Sequence, residues 1–175
     1  MAAGKPLLLS PQTIGPYQRL WARTAARFLM KRAAAVVTRD ELSIDYARSL
    51  GITTALGATD VAFRLPYEKA VAGSRDKVKV GVNFSGLLYN GGYTGKNMFS
   101  LKADYRNLVD LLMTRFLSRP ECEIHLVAHV ISDAIPVEDD YRLAQSIGER
   151  FPQAIVAPRF KSPPEAKSYI SGMDF

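Results

Sequence analysis

The sequence predicts an α/β protein built as two halves, each a parallel sheet flanked by helices. Short apolar runs alternate with longer stretches of helical periodicity, at a spacing that suits strand–helix–strand units. A polar stretch with Pro, Gly, Ser and five charged side chains separates two such series and predicts a linker over residues 66–77. The composition, 47% hydrophobic and 23% charged, is that of a folded globular chain.

Along the first half, Pro6 to Leu9 reads as a short buried strand ending in the turn Ser10-Pro11-Gln12-Thr13-Ile14-Gly15-Pro16. A helical pattern follows from Tyr17 to Lys31, with Leu20, Ala26, Phe28, Leu29 and Met30 among its apolar positions. Ala35-Val36-Val37 is the second strand and gives way at Thr38-Arg39-Asp40. Asp40 or its neighbour caps the next helix, which runs through Tyr46 and Leu50 to Gly51. Thr53 to Leu56 is the third strand, followed by Ala58-Thr59-Asp60.

Beyond the linker, Val78 to Ser85 reads as a strong strand, and Gly86 to Gly95 as a glycine-rich loop. Leu101 to Leu117 contains a long amphipathic helix with Leu108, Leu111, Leu112 and Phe116 on its apolar side. Ile124 to Ala128 is a strand closed by His129. A helix over Asp139 to Phe151, a strand over Ala154 to Ala157 and a helix over Pro163 to Ile170 complete the series. The first half supplies only about three strands, few for an open α/β sheet covered on both faces, so the topology predicts an incomplete fold.

No run approaches the roughly 20 apolar residues of a membrane span. Cys122 is the sole cysteine, which leaves no disulfide framework and makes the reducing cytoplasm the expected compartment. The net charge of +6 suits an anionic substrate, a nucleic acid or an anionic membrane. Arg19, Arg23, Arg27, Lys31 and Arg32 recur about every four residues as a basic stripe, without the interleaved stacking aromatics of a nucleic-acid binder. The stripe reads as a solvated helix face, with peripheral docking on anionic lipid as its alternative.

Ligands of such sheets bind outside the carboxyl ends of the strands, so Gln12, Arg39, Asp60, Asn83, Ser85 and His129 are the residues to weigh. Arg39, where a strand meets a helix, can hold a carboxylate or phosphate bidentately; equally, it can pair with Asp40 or Asp60 and lock the turn. The Ser10–Pro16 turn offers backbone amides to an anion or a sugar hydroxyl, or serves only as a rigid connection. The loop from Gly86 to Asn97 fails the P-loop pattern, since Asn90 stands at the first glycine and Asn97 at the Ser/Thr position. It reads instead as a mobile loop whose Tyr89 and Tyr93 suit stacking on a sugar ring. His125 and His129 lie roughly 13 Å apart along an extended strand, too far to share a metal. His129 is the better polar contact and His125 the structural one. Asp139 and Asp140 read as acidic residues complementing a helix N-terminus.

These motifs, in order, resemble the polysaccharide pyruvyl transferase family. The matching segments are the Ser10–Pro16 turn, Arg39-Asp40-Glu41-Leu42-Ser43, Leu50-Gly51 and Ala58-Thr59-Asp60-Val61-Ala62-Phe63. In the second half they are Val80-Gly81-Val82-Asn83, Val127-Ala128-His129-Val130 with Asp139-Asp140, and Ser162-Pro163-Pro164-Glu165. The resemblance implies a glycosyltransferase-B-like protein of two Rossmann-like domains with the active site between them. Residues 1–65 would be the C-terminal part of the first domain and 78–175 the N-terminal part of the second.

It further implies transfer of a pyruvyl group from phosphoenolpyruvate to two hydroxyls of a polysaccharide or glycan-lipid sugar, forming a ketal, with no cofactor and no metal. The resemblance assigns Arg39 to the anionic donor, and the strand-end rule adds Gln12, Asn83, Ser85 and His129 as expected substrate contacts. The family's acid histidine, in a Gly-x-Arg-x-His segment, would lie beyond Phe175. A sugar-nucleotide glycosyltransferase and an inactive fragment remain the alternatives at this stage.

Overall fold

The computed structural model describes residues 5–71 and 76–175, so part of the expected 66–77 linker lies outside the described residues. The chain divides into two compact units, Met1–Leu65 and Pro66–Phe175. Each holds a three-stranded parallel sheet with helical connections, which makes the protein α/β.

The first unit runs β1 (Leu8–Gln12), α1 (Leu20–Arg32), β2 (Ala35–Thr38), α2 (Glu41–Ser49) and β3 (Leu56–Gly57), then a 3-10 turn over Val61–Arg64. Strand order is β1-β2-β3. β1 starts and ends later than expected and takes in Ser10, Pro11 and Gln12. Pro11 has no N–H for the ladder, and the register with β2 shifts between Leu9 and Gln12, an irregularity that an edge strand tolerates.

The expected turn begins only at Thr13. There the Ile14 amide donates to Ser43 Oγ and the Tyr17 amide to Tyr46 Oη, which ties the segment to α2 and delays α1 to Leu20. Gly15 has a φ of +68°, and a Cβ there would lie 2.2 Å from the Tyr46 ring. Only glycine fits. α2 is capped as expected by Asp40, whose carboxylate accepts from the Ser43 amide at 2.7 Å, and Gly51 follows with a φ of +81°. Ile14, Met30, Val36, Ile44, Ala47, Leu50, Ile52 and Ala55 form this unit's core.

The second unit runs β4 (Val78–Val82), α3 (Gly86–Tyr89), α4 (Tyr105–Leu117), β5 (Cys122–Leu126), α5 (Asp140–Arg150), β6 (Ile155–Val156) and α6 (Pro163–Ile170), with a 3-10 turn over Pro136–Glu138 before α5. β4 pairs with β5 and β5 with β6. Alternation along β5 gives the sheet two faces. Ile124 and Leu126 pack with Val109 and Met113 of α4 and Leu143 and Ile147 of α5. His125 contacts Tyr169 of α6, whose ring also packs against the small cluster of Val127, Ala157 and Phe160.

The glycine-rich loop opens as a helical turn rather than a loop, because Ser85 Oγ accepts from the Leu88 amide and caps it. Asp104 caps α4, which starts at Tyr105 and lies within the expected Leu101–Leu117 stretch. Among the first residues after the unit boundary, the Ala70 amide donates to Ser171 Oγ and Lys167 Nζ lies 4.7 Å from the Tyr67 ring centre. No helix among the described residues is long and apolar enough to cross a membrane.

Ile147 and Met113 have no solvent exposure, whereas Leu111 of α4 is exposed. Ile147→Ala should therefore destabilise the second unit by about 2–5 kcal/mol, through lost transfer energy and the cavity left behind. Leu111→Ala should cost no more than about 0.5 kcal/mol. Urea unfolding followed by circular dichroism checks both values; equal losses would contradict the assigned core.

Candidate functional site

Parallel strands bring their carboxyl ends to one edge of a sheet, and each unit gathers polar side chains there. In the first unit, the Arg39 amide donates to the Gln12 carbonyl at 3.3 Å, which sets the ends of β1 and β2 side by side. Arg39 Nε donates to Thr13 Oγ1 at 2.9 Å, and Nη1 pairs with Asp60 Oδ2 at 2.5 Å. Asp60 is fixed in turn, since its Oδ1 accepts from the Ala62 amide at 2.9 Å. Asp40 Oδ2 accepts from the Thr13 hydroxyl at 3.4 Å, so the two acids and the arginine form one network. Gln12 is exposed at the end of β1 beside them.

Of the readings open to Arg39, the ion pair with Asp60 is present. The guanidinium nevertheless stays 48% exposed, and its Nη2 makes no hydrogen bond among the described residues. A carboxylate or phosphate oxygen can approach that free edge. Both acids are held below the usual carboxylate range. For Asp40 the cause is first the Ser43 amide and then the Ser43 and Thr13 hydroxyls. For Asp60 it is the Ala62 amide, then the Arg39 guanidinium.

In the second unit, the buried carboxylate of Asp140 organises the strand tips. Its Oδ1 accepts from the Gly86 amide at 2.7 Å. Its Oδ2 accepts from Asn83 Nδ2 at 3.1 Å, the Val130 amide at 2.9 Å and the His129 amide at 3.3 Å. Asn83 Nδ2 also reaches the Val127 carbonyl at 3.0 Å. The Val127 amide still donates to the Val82 carbonyl of β4, and beyond it the His129 and Val130 amides turn to Asp140 instead of a neighbouring strand.

His129 thus lies beyond the strand, exposed, with an imidazole that makes no hydrogen bond among the described residues. Asn83 is exposed and Ser85 half-buried, the latter using its hydroxyl as a helix cap. Asn83, Ser85 and His129 therefore share one edge of the second unit, as Gln12 and Arg39 share one edge of the first.

Asp140 is the residue that sequence reasoning undervalued. Asp139 is the true N-cap of α5, accepting from the Tyr141 amide, while Asp140 reaches across to β4 and to the chain after β5. The doubled acid at a helix start was the only local signal, and it has a commoner explanation in the helix dipole.

His125 is buried, with Nδ1 2.6 Å from Tyr169 Oη and Nε2 2.8 Å from Glu123 Oε1. That contact holds the Glu123 carboxyl below its usual range, and burial pushes the Tyr169 hydroxyl up. Tyr89 and Tyr93 are engaged within the unit: Tyr89 lies beneath the Arg106 guanidinium and accepts from Arg150, and Tyr93 donates to Glu138. No cluster of three or more His, Cys, Asp or Glu able to hold a metal occurs among the described residues.

Asp140→Ala leaves three backbone amides and one side-chain amide without their acceptor, and should cost about 3 kcal/mol or more of stability. A shift in urea midpoint, with faster hydrogen exchange at the Gly86 and Val130 amides, measures it. Asp60 has a lowered folded pKa, so its stabilising contribution is present above about pH 4 and lost as pH falls through that lowered value. Asp60→Asn should accordingly shrink the stability lost between about pH 7 and about pH 3. An acid loss identical to that of the unaltered protein would show that the ion pair contributes nothing.

No curated protein and no solved structure gives a significant match to the chain. The family model described as polysaccharide pyruvyl transferase matches residues 1–175, the whole length of the sequence. The motifs at both strand-tip edges, from Arg39 and Asp60 to Asn83, His129 and Asp140, all fall within that span. The chain belongs to the polysaccharide pyruvyl transferase family.

Proposed function

We propose that the protein transfers the pyruvyl group of phosphoenolpyruvate to two hydroxyls of a polysaccharide or glycan-lipid sugar, closing a cyclic ketal, in the cytoplasm. The observation that carries this reading is Arg39: a partly exposed guanidinium at the end of β2, fixed on two sides and open at Nη2. Fixing it through Thr13 and Asp60 removes rotamer freedom that donor binding would otherwise have to freeze. Gln12 borders the same edge; Asn83, Ser85 and His129 are the polar groups of the second unit assigned to substrate. The two parallel-sheet units support a glycosyltransferase-B-like scaffold of Rossmann-like domains as part of this proposal.

The chemistry begins with protonation of the enol carbon by a general acid. A sugar hydroxyl then attacks the resulting cationic carbon, phosphate departs, and the second hydroxyl closes the ring. Positive charge must hold the donor's carboxylate and phosphate throughout, which is the role assigned to Arg39. The proposal calls for no cofactor, and assigns the acid to no residue of this sequence.

The Asp60 pair supports a second reading, in which Arg39 only locks the turn. The two part company on donor affinity. Arg39→Ala should weaken phosphoenolpyruvate binding at least tenfold in calorimetry, while a mere lock would lower the unfolding midpoint and leave donor affinity unchanged. Supplying labelled phosphoenolpyruvate and labelled sugar nucleotides side by side tests the reaction itself. Consumption of the sugar nucleotide alone would replace the pyruvyl proposal by a glycosyl one.

A further inference from the structure

Every excess positive charge of this chain lies in its first 39 residues. That segment carries seven basic side chains (Lys5, Arg19, Arg23, Arg27, Lys31, Arg32 and Arg39) and no acidic one. The remaining 136 residues hold the other 16 basic side chains and all 17 acids, so they are close to neutral. Five of the seven sit on α1 or at its start, and none of those five forms an ion pair with a described residue.

α1 also leaves most of its large apolar side chains exposed. Only Met30 is buried, with Ala26 packed beside it. Leu20 is 79% exposed, Trp21 67%, Phe28 53% and Leu29 50%. Trp21 and Phe28 are two turns apart and share a face. At about 100° per residue, Lys31 and then Arg27 fall to one side of that face, while Arg23 turns toward the Met30 side, nearly opposite Trp21. Arg32 shares the aromatic face, its guanidinium 3.6 Å from the Phe28 ring centre. The exposed aromatics thus lie beside the basic stripe and share a face with Arg32, where the sequence leaves open a solvated face or docking on anionic lipid.

We infer that α1 is a docking surface for an anionic lipid membrane, lying in the plane of the interface. Trp21, Phe28 and the flanking leucines enter the headgroup boundary, and Arg27, Lys31 and Arg32 contact lipid phosphates. Charge complementarity selects this occupant. Interfacial helices combine Trp, Phe and Leu with Lys and Arg, and their long basic side chains can reach phosphates while their stems cover apolar surface. The core of a protein–protein patch is instead depleted in charge, which a row of unpaired cations beside the aromatics does not match. At 13 residues the helix is too short to span a bilayer, so it lies on the surface. This inference is independent of the donor and of the reaction.

Trp21 is the only tryptophan of the chain, so its fluorescence reports on this face alone. The chain should co-sediment with vesicles of mixed phosphatidylcholine and phosphatidylglycerol, its emission moving to the blue and becoming quenchable by brominated acyl chains. Pure phosphatidylcholine vesicles should give neither effect. Raising the salt to about 1 M should release the protein from the anionic vesicles. Arg27→Glu with Lys31→Glu should lower partitioning by about thirtyfold or more, whereas Arg115→Glu at an exposed position of α4 should not change it.

An emission unmoved by anionic vesicles would overturn the inference. So would an equal blue shift with polyglutamate or a single-stranded oligonucleotide, which would indicate a general polyanion site. A blue shift that grows with protein concentration in the absence of vesicles would overturn it in favour of a second copy of the chain.

Discussion

A buried carboxylate holds the strand-tip edge of the second unit in shape. Where parallel strands end, their last amides lose the ladder partners that satisfied them, and an unpaired buried amide is costly. Asp140 takes up three backbone amides from the segments after β4 and after β5, those of Gly86, His129 and Val130, together with the Asn83 side-chain amide. The chain can therefore leave the sheet at Leu126 and present His129 and Asn83 without orphaned groups beneath them. In the first unit Asp40 takes up a helix-start amide instead, that of Ser43, and accepts from the Thr13 hydroxyl. In both units an acid next to a helix start underlies the residues assigned to substrate.

Arg39 shows what this arrangement does for charge. Its pair with Asp60 is short but partly solvated, so it orients the guanidinium more than it stabilises the fold. Asp60 and Asp40 both surround a cation that an anionic donor would need. In the proposed reaction the donor would meet Arg39 through the side that neither acid covers. Family membership supports the transferase reading, and Nη2 is the guanidinium nitrogen without a hydrogen bond among the described residues.

Local signals were legible in the sequence and distant ones were not. Asp40 and Gly51 bound α2 as the sequence reads, because caps depend on residues within one turn. α6 spans Pro163–Ile170 as expected, since Ser162 caps it and Glu165 returns to the Lys161 amide. Strand ends were displaced instead: β1 runs on through Pro11, β3 is only two residues long, and β5 starts at Cys122. Strand ends depend on what lies alongside, which one sequence does not contain. The same limit hid Asp140, whose bond to Gly86 crosses 54 residues, whereas the Arg39–Asp60 pair was one of two open readings. The exposure of Trp21 and Phe28 escaped periodicity because that helix is apolar on more than its inner face.

The contact between Gly15 and Tyr46 has a mechanical meaning. With the phenol ring pressed against the glycine and its hydroxyl holding the Tyr17 amide, the segment after β1 rides on α2 as a single rigid piece. Thr13 belongs to that piece, and Thr13 is what grips Nε of Arg39. A tilt of α2 would travel through the tyrosine to the guanidinium, like a lever acting on its own fulcrum.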